Sequence, residues 1–124
     1  MIVLDTNALM MPVECDVRVF EELERLVGDA EWIVPEAVVA ELEKLADGGG
    51  EEGTAASVGL DLVERCRAVP TDATYADDAV LELADRPDVT HAVTNDTPLR
   101  DRLLERDVPV IGLRGQNKLA ITQP

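Results

Sequence analysis

The sequence predicts an α/β fold in which helices cover both faces of a mostly parallel sheet of about five strands. Short runs rich in Val, Ile and Leu alternate with longer amphipathic segments along the chain. This alternation is typical of βαβ units, whose crossover helices bury both faces of the sheet. A length of 124 residues suffices for one core and is too short for two, so we expect a single domain over residues 1–124.

The apolar runs and the periodic segments between them set the predicted order of elements. The first run, Ile2-Val3-Leu4, stops at Asp5 and is followed by Thr6 and Asn7, residue types that favour loops and helix caps. Strands are expected near 2–5, 32–34, 67–69, 90–94 and 109–113. Helices are expected near 16–27, 36–46, 55–65, 75–85 and 98–106, and the glycine-rich stretch 47–53 is expected to form a mobile loop.

Two prolines indicate that helices begin directly after strands. Pro35 follows the run Trp32-Ile33-Val34, and Pro98 follows the strand predicted to end near Thr94. Proline suits the first turn of a helix. The N-termini of both helices are therefore expected at the same edge of the sheet as Asp5, where their partial positive charge favours anions.

The charge balance is strongly acidic, with 26 Asp and Glu against 11 Lys and Arg and a net charge of −15. This balance disfavours broad electrostatic binding to nucleic acid, whose affinity depends on neutralised phosphates. Alternatively, abundant carboxylates with few lysines are typical of proteins from salt-adapted cells, and the charge then says little about the partner. Residues 97–124 nevertheless carry five basic and three acidic side chains, so a polyanion is expected to bind there. Arg102 and Arg106 fit an ordinary solvated helix face equally well.

Nothing in the sequence indicates a disulfide framework, a zinc site or a membrane segment. Cys15 and Cys66 lack the spacing of metal ligands, and Asp5 interrupts the first apolar run, which argues against a signal peptide. No apolar stretch approaches the roughly 20 residues that a transmembrane helix needs. We therefore expect a reduced, cytoplasmic protein with no membrane partner.

Two predicted strand ends carry candidate functional carboxylates. Asp5 follows the first strand, and Asp96 follows the strand 90–94 in the run Thr94-Asn95-Asp96. In open α/β sheets, ligands bind at the carboxyl ends of the strands. A helix cap is the structural alternative for Asp96, but Thr97 is expected to be the N-cap because Pro98 follows it.

Two predicted helices supply further candidates. Glu41 lies beside the apolar stripe of its helix, where it needs a partner, either a cation or an arginine. Thr74 and Asp77 match a capping box, which gives Asp77 a structural role and leaves Asp78 as the candidate. A solvated surface position is the alternative for Asp78.

Carboxylates brought together in this way would repel one another, and a hard divalent cation such as Mg²⁺ or Mn²⁺ would relieve the repulsion. Such an ion keeps waters that can be activated to attack a phosphodiester. His91 is the only histidine and is expected to be structural, so no imidazole or thiol set competes for the role. The sequence therefore predicts a metal site built from oxygen ligands.

These motifs resemble those of PIN domains, a family of small metal-dependent ribonucleases. The matching segments follow the family's order over nearly the whole chain: Val3-Leu4-Asp5-Thr6-Asn7, Val34-Pro35-Glu36 with Glu41-Leu42, Asp78-Ala79-Val80, and Val93-Thr94-Asn95-Asp96 with Leu99. The resemblance implies a three-layer α/β/α sandwich. It also implies that the catalytic and metal-ligating residues are Asp5, Glu41, Asp78 and Asp96, with Asn7 and Thr94 as supporting polar groups.

The implied reaction is hydrolysis of RNA by metal-activated water, with Mg²⁺ or Mn²⁺ as cofactor. RNA is the expected partner, and we expect its phosphates to be bound by Arg100, Arg114 and Lys118. The tail from Val110 to Leu119 is similar to the archaeal-type branch that processes ribosomal RNA. The toxin branch of toxin-antitoxin pairs shares the acidic core, and under that alternative an antitoxin protein is a partner. A homodimer is compatible with either branch.

Two other classes fit the sequence less well. A receiver-like signalling domain requires paired acids after the first strand and a lysine after a late one, whereas Asp5 stands alone. A non-catalytic RNA-binding PIN-like module is disfavoured because all four acidic positions are present. The chain has only three aromatic residues, so a base-stacking platform is not expected.

Overall fold

The computed structural model describes residues 1–124 and contains six strands and six helices. In chain order they are β1 (Ile2–Leu4), α1 (Thr6–Glu14), α2 (Val19–Val27), β2 (Trp32–Pro35), α3 (Glu36–Ala46), α4 (Gly50–Val63), β3 (Arg67–Val69), α5 (Ala76–Ala84), β4 (His91–Val93), α6 (Thr97–Glu105), β5 (Val110–Arg114) and β6 (Lys118–Thr122). All strands belong to one sheet with the order β3-β2-β1-β4-β5-β6. The first five are parallel and β6 is antiparallel to β5, which confirms the predicted α/β class.

The helices form two layers around this sheet. Helix α1 packs against α2, α3 and α4, and α3 packs against α4. Helix α5 packs against α6 and against β1, β2 and β4, and it also contacts α3. Helices α1 to α4 connect β1 to β2 and β2 to β3, whereas α5 and α6 connect β3 to β4 and β4 to β5 in the opposite direction across the sheet. Because crossovers between parallel strands are right-handed, the first group covers one face of the sheet and the second group covers the other. The three-layer α/β/α arrangement follows.

The central strand β1 is buried on both faces. Val3 pairs with Ile33 of β2 and with Ala92 of β4. Ile2, Val3 and Leu4 have no exposed surface. A continuous apolar run suits a strand that helices cover on both sides, because neither set of alternating side chains meets water.

The direction of the chain across the sheet changes between β1 and β4. After β1 the chain moves outward to β2 and β3, and then returns to β4 on the other side of β1. Connections that leave two adjacent parallel strands in opposite directions open a crevice at the carboxyl ends of those strands. This crevice lies beside Asp5 and the segment that follows Val93.

Two elements differ from the sequence-based expectations at the start of the chain. Residues 6–14 form the separate helix α1, which was not predicted, and α2 begins at Val19 rather than near residue 16. Helix α1 contains Pro12, and its residues Ala8, Leu9, Met10 and Met11 are all buried. An apolar run of this kind lacks the one-sided periodicity by which a surface helix is recognised.

The glycine-rich stretch is also more ordered than expected. Gly49 and Gly50 have φ values of 72° and 68°, which glycine adopts without a Cβ clash, and α4 then begins at Gly50. The expectation of a loop over 47–53 is therefore wrong for residues 50–53. Their early helical start moves Glu52 into the first turn of α4.

The chain ends in an unpredicted strand, β6, which forms a hairpin with β5 across the turn at Gly115. Side chains of α2 bind the outer edge of β6. The Glu22 carboxylate accepts a hydrogen bond from Leu119 N at 2.9 Å, and Arg25 donates to Leu119 O at 2.8 Å. These bonds occupy backbone groups that an edge strand would otherwise expose. No helix is both long and apolar enough to cross a membrane.

Candidate active site

An acidic cleft of about 250 Å³ opens at the carboxyl ends of β1 and β4. Six of its ten lining residues are carboxylic acids and none is basic. The lining residues are Asp5, Thr6, Asn7, Met10, Glu14, Glu41, Leu45, Glu52, Asp77 and Asp96. The sheet reversal therefore brings together side chains that are far apart in sequence, and most of them carry negative charge.

Asp5 lies at the buried end of the acidic cleft. It directly follows β1, caps α1, and is only 3% exposed. Its Oδ1 accepts a hydrogen bond from Ala8 N at 2.8 Å. Burial raises the pKa of the carboxyl from 3.8 to about 7, and repulsion from Asp77 and Asp96 adds to this, while hydrogen bonds from Thr94 and Ala8 act in the opposite direction. Charge on Asp5 is therefore costly unless a cation neutralises it.

Thr94 connects Asp5 to the loop that carries Asp96. The Thr94 hydroxyl donates to Asp5 Oδ2 and accepts a hydrogen bond from Asp96 N at 2.9 Å. Thr94 is 1% exposed and follows β4, so its side chain is held by the sheet. One hydroxyl therefore links the Asp5 carboxylate to the backbone at Asp96.

Asp96 caps α6, contrary to the prediction that Thr97 would do so. Its Oδ1 accepts a hydrogen bond from Leu99 N at 3.0 Å, and Thr97 is the first residue of the helix. Pro98 then occupies the second helical position, which tolerates proline as well as the first does because its N–H has no intrahelical partner. The cap uses one carboxylate oxygen, and Asp96 still lines the acidic cleft.

The structure places Asp77, rather than the predicted Asp78, in the acidic cleft. Tyr75 is the N-cap of α5, so the capping box expected from Thr74 does not form and the helix starts one residue later. Asp77 is therefore not used in a cap, and the side chains of the two neighbouring aspartates point about 100° apart around the helix. Asp78 instead forms an ion pair with Arg102 at 3.2 Å. Desolvation and the nearby carboxylates of Asp96 and Glu41 raise the pKa of Asp77.

Glu41 lies in the acidic cleft and forms no ion pair, so the arginine partner considered from the sequence is absent. Two further acids of the cleft, Glu14 and Glu52, were not predicted. Glu14 ends α1 and Glu52 lies in the first turn of α4. Glu14 and Glu52 were missed because neither α1 nor the start of α4 was expected to be helical.

Asn7 and Asn95 fix the loop that follows β4. Asn7 Oδ1 accepts a hydrogen bond from Asn95 N at 2.9 Å, and Asn95 Oδ1 accepts one from Leu113 N at 2.7 Å. Asn7 therefore holds the backbone of the loop that follows β4, and its supporting role in the active site stays a prediction. The same chain of bonds joins α1, the β4–α6 loop and β5.

The three predicted phosphate-binding residues line two different cavities. Arg100 and Arg114 line one cavity beside Thr94 and Asn95. Lys118 lies with Arg18, Glu21 and Glu22 at a different cavity. Lys118 is nevertheless the register partner of Arg114 in the hairpin, so these two side chains are neighbours on one face of the sheet.

The chemistry of the acidic cleft fits a hard divalent cation. Its polar side chains offer oxygen ligands, with no imidazole or thiol. The buried Thr6 Oγ1 has no hydrogen-bond partner, and a bound cation or its water would provide one. No three carboxylates converge closely enough to hold an ion as they stand. Binding would therefore require the exposed side chains of Glu41 and Asp77 to move.

This fold and cleft define the class of protein. Residues 2–116 match the model of a family described as a PIN like domain, and the chain belongs to that family. It is 31% identical over 117 residues to ribonuclease VapC4 of Methanocaldococcus jannaschii. The aligned region covers 91% of this chain and 89% of that protein.

Solved structures show the same fold. The PIN domain endonuclease Utp24 is similar with a TM-score of 0.80 at 24% identity, over 99% of this chain and 91% of that one. VapBC2 from Rickettsia felis, bound to a DNA fragment from the promoter, contains a similar chain with a TM-score of 0.64 at 16% identity, over 90% of this chain and 98% of that one. At these identities the structural likeness shows the fold.

Proposed function

We propose that the protein is a metal-dependent endoribonuclease whose active site is the acidic cleft. The observation that carries this proposal is that Asp5, Glu41, Asp77 and Asp96 line one cleft at the switch point of the sheet. Burial, together with the charges of nearby carboxylates, raises the pKa of Asp5 and of Asp77, and carboxyls perturbed in this way in a cleft mark a candidate functional site. Membership of the PIN-like family and identity to a protein named as a ribonuclease support the same reaction class.

Mg²⁺ or Mn²⁺ would be held by Asp5, Asp96, Glu41 and Asp77. When bound, such an ion supplies an activated water and neutralises charge on the phosphate. The chain's own residues have two tasks. Thr94 and Ala8 fix the Asp5 carboxylate, and the α6 cap fixes Asp96, so that both are preorganised. Glu41 and Asp77 lie on the exposed side of the cleft, where they would complete the set of oxygen ligands.

We propose RNA as the substrate class, with ribosomal-RNA processing as the cellular role. The segment from Val110 to Leu119, which forms part of the β5–β6 hairpin, supports this role because it is similar to the branch of PIN domains that processes ribosomal RNA. The alternative is a toxin-type ribonuclease with an antitoxin partner. Identity to VapC4 and the fold shared with VapBC2 favour that alternative. A homodimer and a cytoplasmic location stay predictions.

The reaction is tested by incubating a structured RNA with the protein in Mn²⁺ and following the appearance of cleavage products. We expect the parent to cleave, EDTA to stop it, and Asp5→Asn and Asp96→Asn to slow it by about a hundredfold or more. Asp29→Asn is the matched control, because Asp29 is exposed and forms no ion pair. Equal rates in all four proteins would reject the acidic cleft as the active site.

The cellular role is tested separately by depleting the protein and sequencing RNA ends. Accumulation of unprocessed ribosomal-RNA precursors would support the processing role. Loss of scattered cleavages in other RNAs, with normal ribosomal RNA, would support the toxin-type alternative.

A further inference from the structure

A second cavity adjoins the acidic cleft and has the opposite charge. Its volume is about 210 Å³, and it shares the Thr94–Asp96 segment with the cleft, since Thr94 and Asn95 line the cavity and Asp96 lines the cleft. No acidic residue lines it. We call it the basic pocket; its residues are Thr94, Asn95, Arg100, Val110, Gly112, Leu113, Arg114, Ala120 and Thr122.

The cations of the basic pocket are poorly neutralised in a chain of net charge −15. Arg114 forms no ion pair, and it is the only arginine with neither a carboxylate partner nor an aromatic ring beneath it, because Arg65 stacks on Phe20. Arg100 pairs only with its exposed neighbour Asp101, at 3.6 Å. A guanidinium without a carboxylate in so acidic a protein remains available for an external anion.

The walls of the basic pocket are fixed by the same bonds that build the acidic cleft. Asn95 Oδ1 accepts from Leu113 N, which leaves the Asn95 amide NH₂ group free to donate. Gly112 allows β5 to approach the loop, since a Cβ there would lie 2.9 Å from Thr94 O. The pocket is therefore rigidly placed relative to Thr94, which also positions Asp5.

We propose that the basic pocket binds the phosphate of an RNA strand that neighbours the phosphate cleaved in the acidic cleft. This inference rests on the proposed function, because it assigns a binding site to the same substrate. The guanidinium groups of Arg100 and Arg114 bind the phosphate oxygens, and the amide of Asn95 adds a neutral donor. The substrate must then extend beyond the scissile bond, so an oligonucleotide is bound better than a single nucleotide.

Binding of the protein to a labelled single-stranded oligoribonucleotide is measured by fluorescence anisotropy. The measurement is made in EDTA, which removes the metal ion and so prevents cleavage. The affinity is followed between about 50 and 200 mM NaCl, a range in which each phosphate contact contributes measurably to the salt dependence. The test variant is Arg100→Gln with Arg114→Gln. The control is Lys44→Gln, which removes an exposed cation that forms no ion pair and lines neither the basic pocket nor the acidic cleft. Melting temperatures check that all proteins are folded.

We expect the double variant to bind several-fold more weakly and to show a shallower plot of log affinity against log salt, by about 0.7 for one lost phosphate contact on a single strand. Lys44→Gln should match the parent. Unchanged affinity and slope in the double variant would overturn the proposal, as would an equal loss in Lys44→Gln or no RNA binding by the parent. The proposed reaction can fail independently, since it is judged by cleavage in Asp5→Asn and Asp96→Asn.

Discussion

The Thr94 hydroxyl donates a hydrogen bond to the carboxylate of Asp5, although the two residues are 89 positions apart. The bond joins the carboxyl ends of β1 and β4 at the point where the sheet reverses direction. The same hydroxyl accepts from Asp96 N. The geometry of the acidic cleft therefore depends on one side chain that carries no charge.

Replacing Thr94 with valine should weaken both the fold and the site. The change keeps the volume of the side chain, removes a donor to Asp5, and leaves Asp96 N without its acceptor. A buried polar group left unpaired costs about 1–3 kcal/mol. We expect urea denaturation to show a loss of this size, together with slower RNA cleavage. Thr94→Ser keeps the hydroxyl and should retain most of the activity; equal loss in both variants would show that the methyl group, rather than the hydrogen bonds, is required.

The pKa of Asp5 predicts how the stability of the metal-free protein depends on pH. Burial raises this pKa from 3.8 to about 7, so between these values the folded protein binds more protons at Asp5 than the unfolded chain does. The contribution of Asp5 to stability is thus greatest below pH 3.8 and is lost as the pH rises through 7. The loss is on the order of a few kcal/mol at most.

Asp5→Asn should remove this pH dependence. In EDTA at about pH 8, we expect Asp5→Asn to melt at a higher temperature than the parent, because no charge is buried. The difference should shrink toward acidic pH, where the parent carboxyl is protonated. Melting curves recorded across this range check the prediction, and parallel pH profiles for the two proteins would argue against a buried charge at Asp5.

Replacing Thr6 tests whether its unpaired hydroxyl in the acidic cleft contributes to stability. Its hydroxyl is buried and has no partner in the protein. A buried hydroxyl that makes no bond contributes nothing to offset its desolvation, so an apolar group of similar size should be tolerated. We expect Thr6→Val to have an unchanged or higher melting temperature in EDTA. A loss above about 1 kcal/mol in chemical denaturation would mean that Thr6 has a structural hydrogen bond.

Glu22 provides a test of the edge strand. Hydrogen bonds from Arg25 and from Leu119 N hold the pKa of this carboxyl down, at about 2. Glu22→Gln keeps the shape but weakens the charge-assisted bond to the β6 backbone. We expect faster hydrogen exchange at the Leu119 amide, by about tenfold, with little change in the core strands. Uniform acceleration over the whole chain would indicate global destabilisation instead.

The parallel strands and most helices could be predicted because their patterns are local. The predicted helix 36–46 coincides with α3, and all five predicted strands match observed ones within a residue or two. Strand β6 was missed because Gln116, Asn117 and Lys118 read as a polar tail. The alternation in Leu119 and Ile121 reflects pairing with β5, a long-range contact that a short polar segment does not reveal.

The candidate site was less predictable because it depends on where individual helices begin. Asp5, Glu41 and Asp96 were expected to converge, and the structure brings all three to the acidic cleft. The choice between Asp77 and Asp78 depended on where α5 begins. Moving the N-cap by one residue, from Thr74 to Tyr75, reverses the choice between the two aspartates. Sequence patterns locate helix ends only to within one or two residues.

This reversal also supplies the most direct test of the claim that the acidic cleft carries the chemistry. Asp77→Asn and Asp78→Asn remove the same charge at adjacent positions of one helix, yet only Asp77 lines the cleft and Asp78 pairs with Arg102. Single-turnover cleavage of RNA in Mn²⁺ is measured for both variants and the parent. We expect Asp77→Asn to be slower by about a hundredfold and Asp78→Asn to stay within about threefold of the parent. A greater loss in Asp78→Asn, or equal losses in the two variants, would contradict the claim.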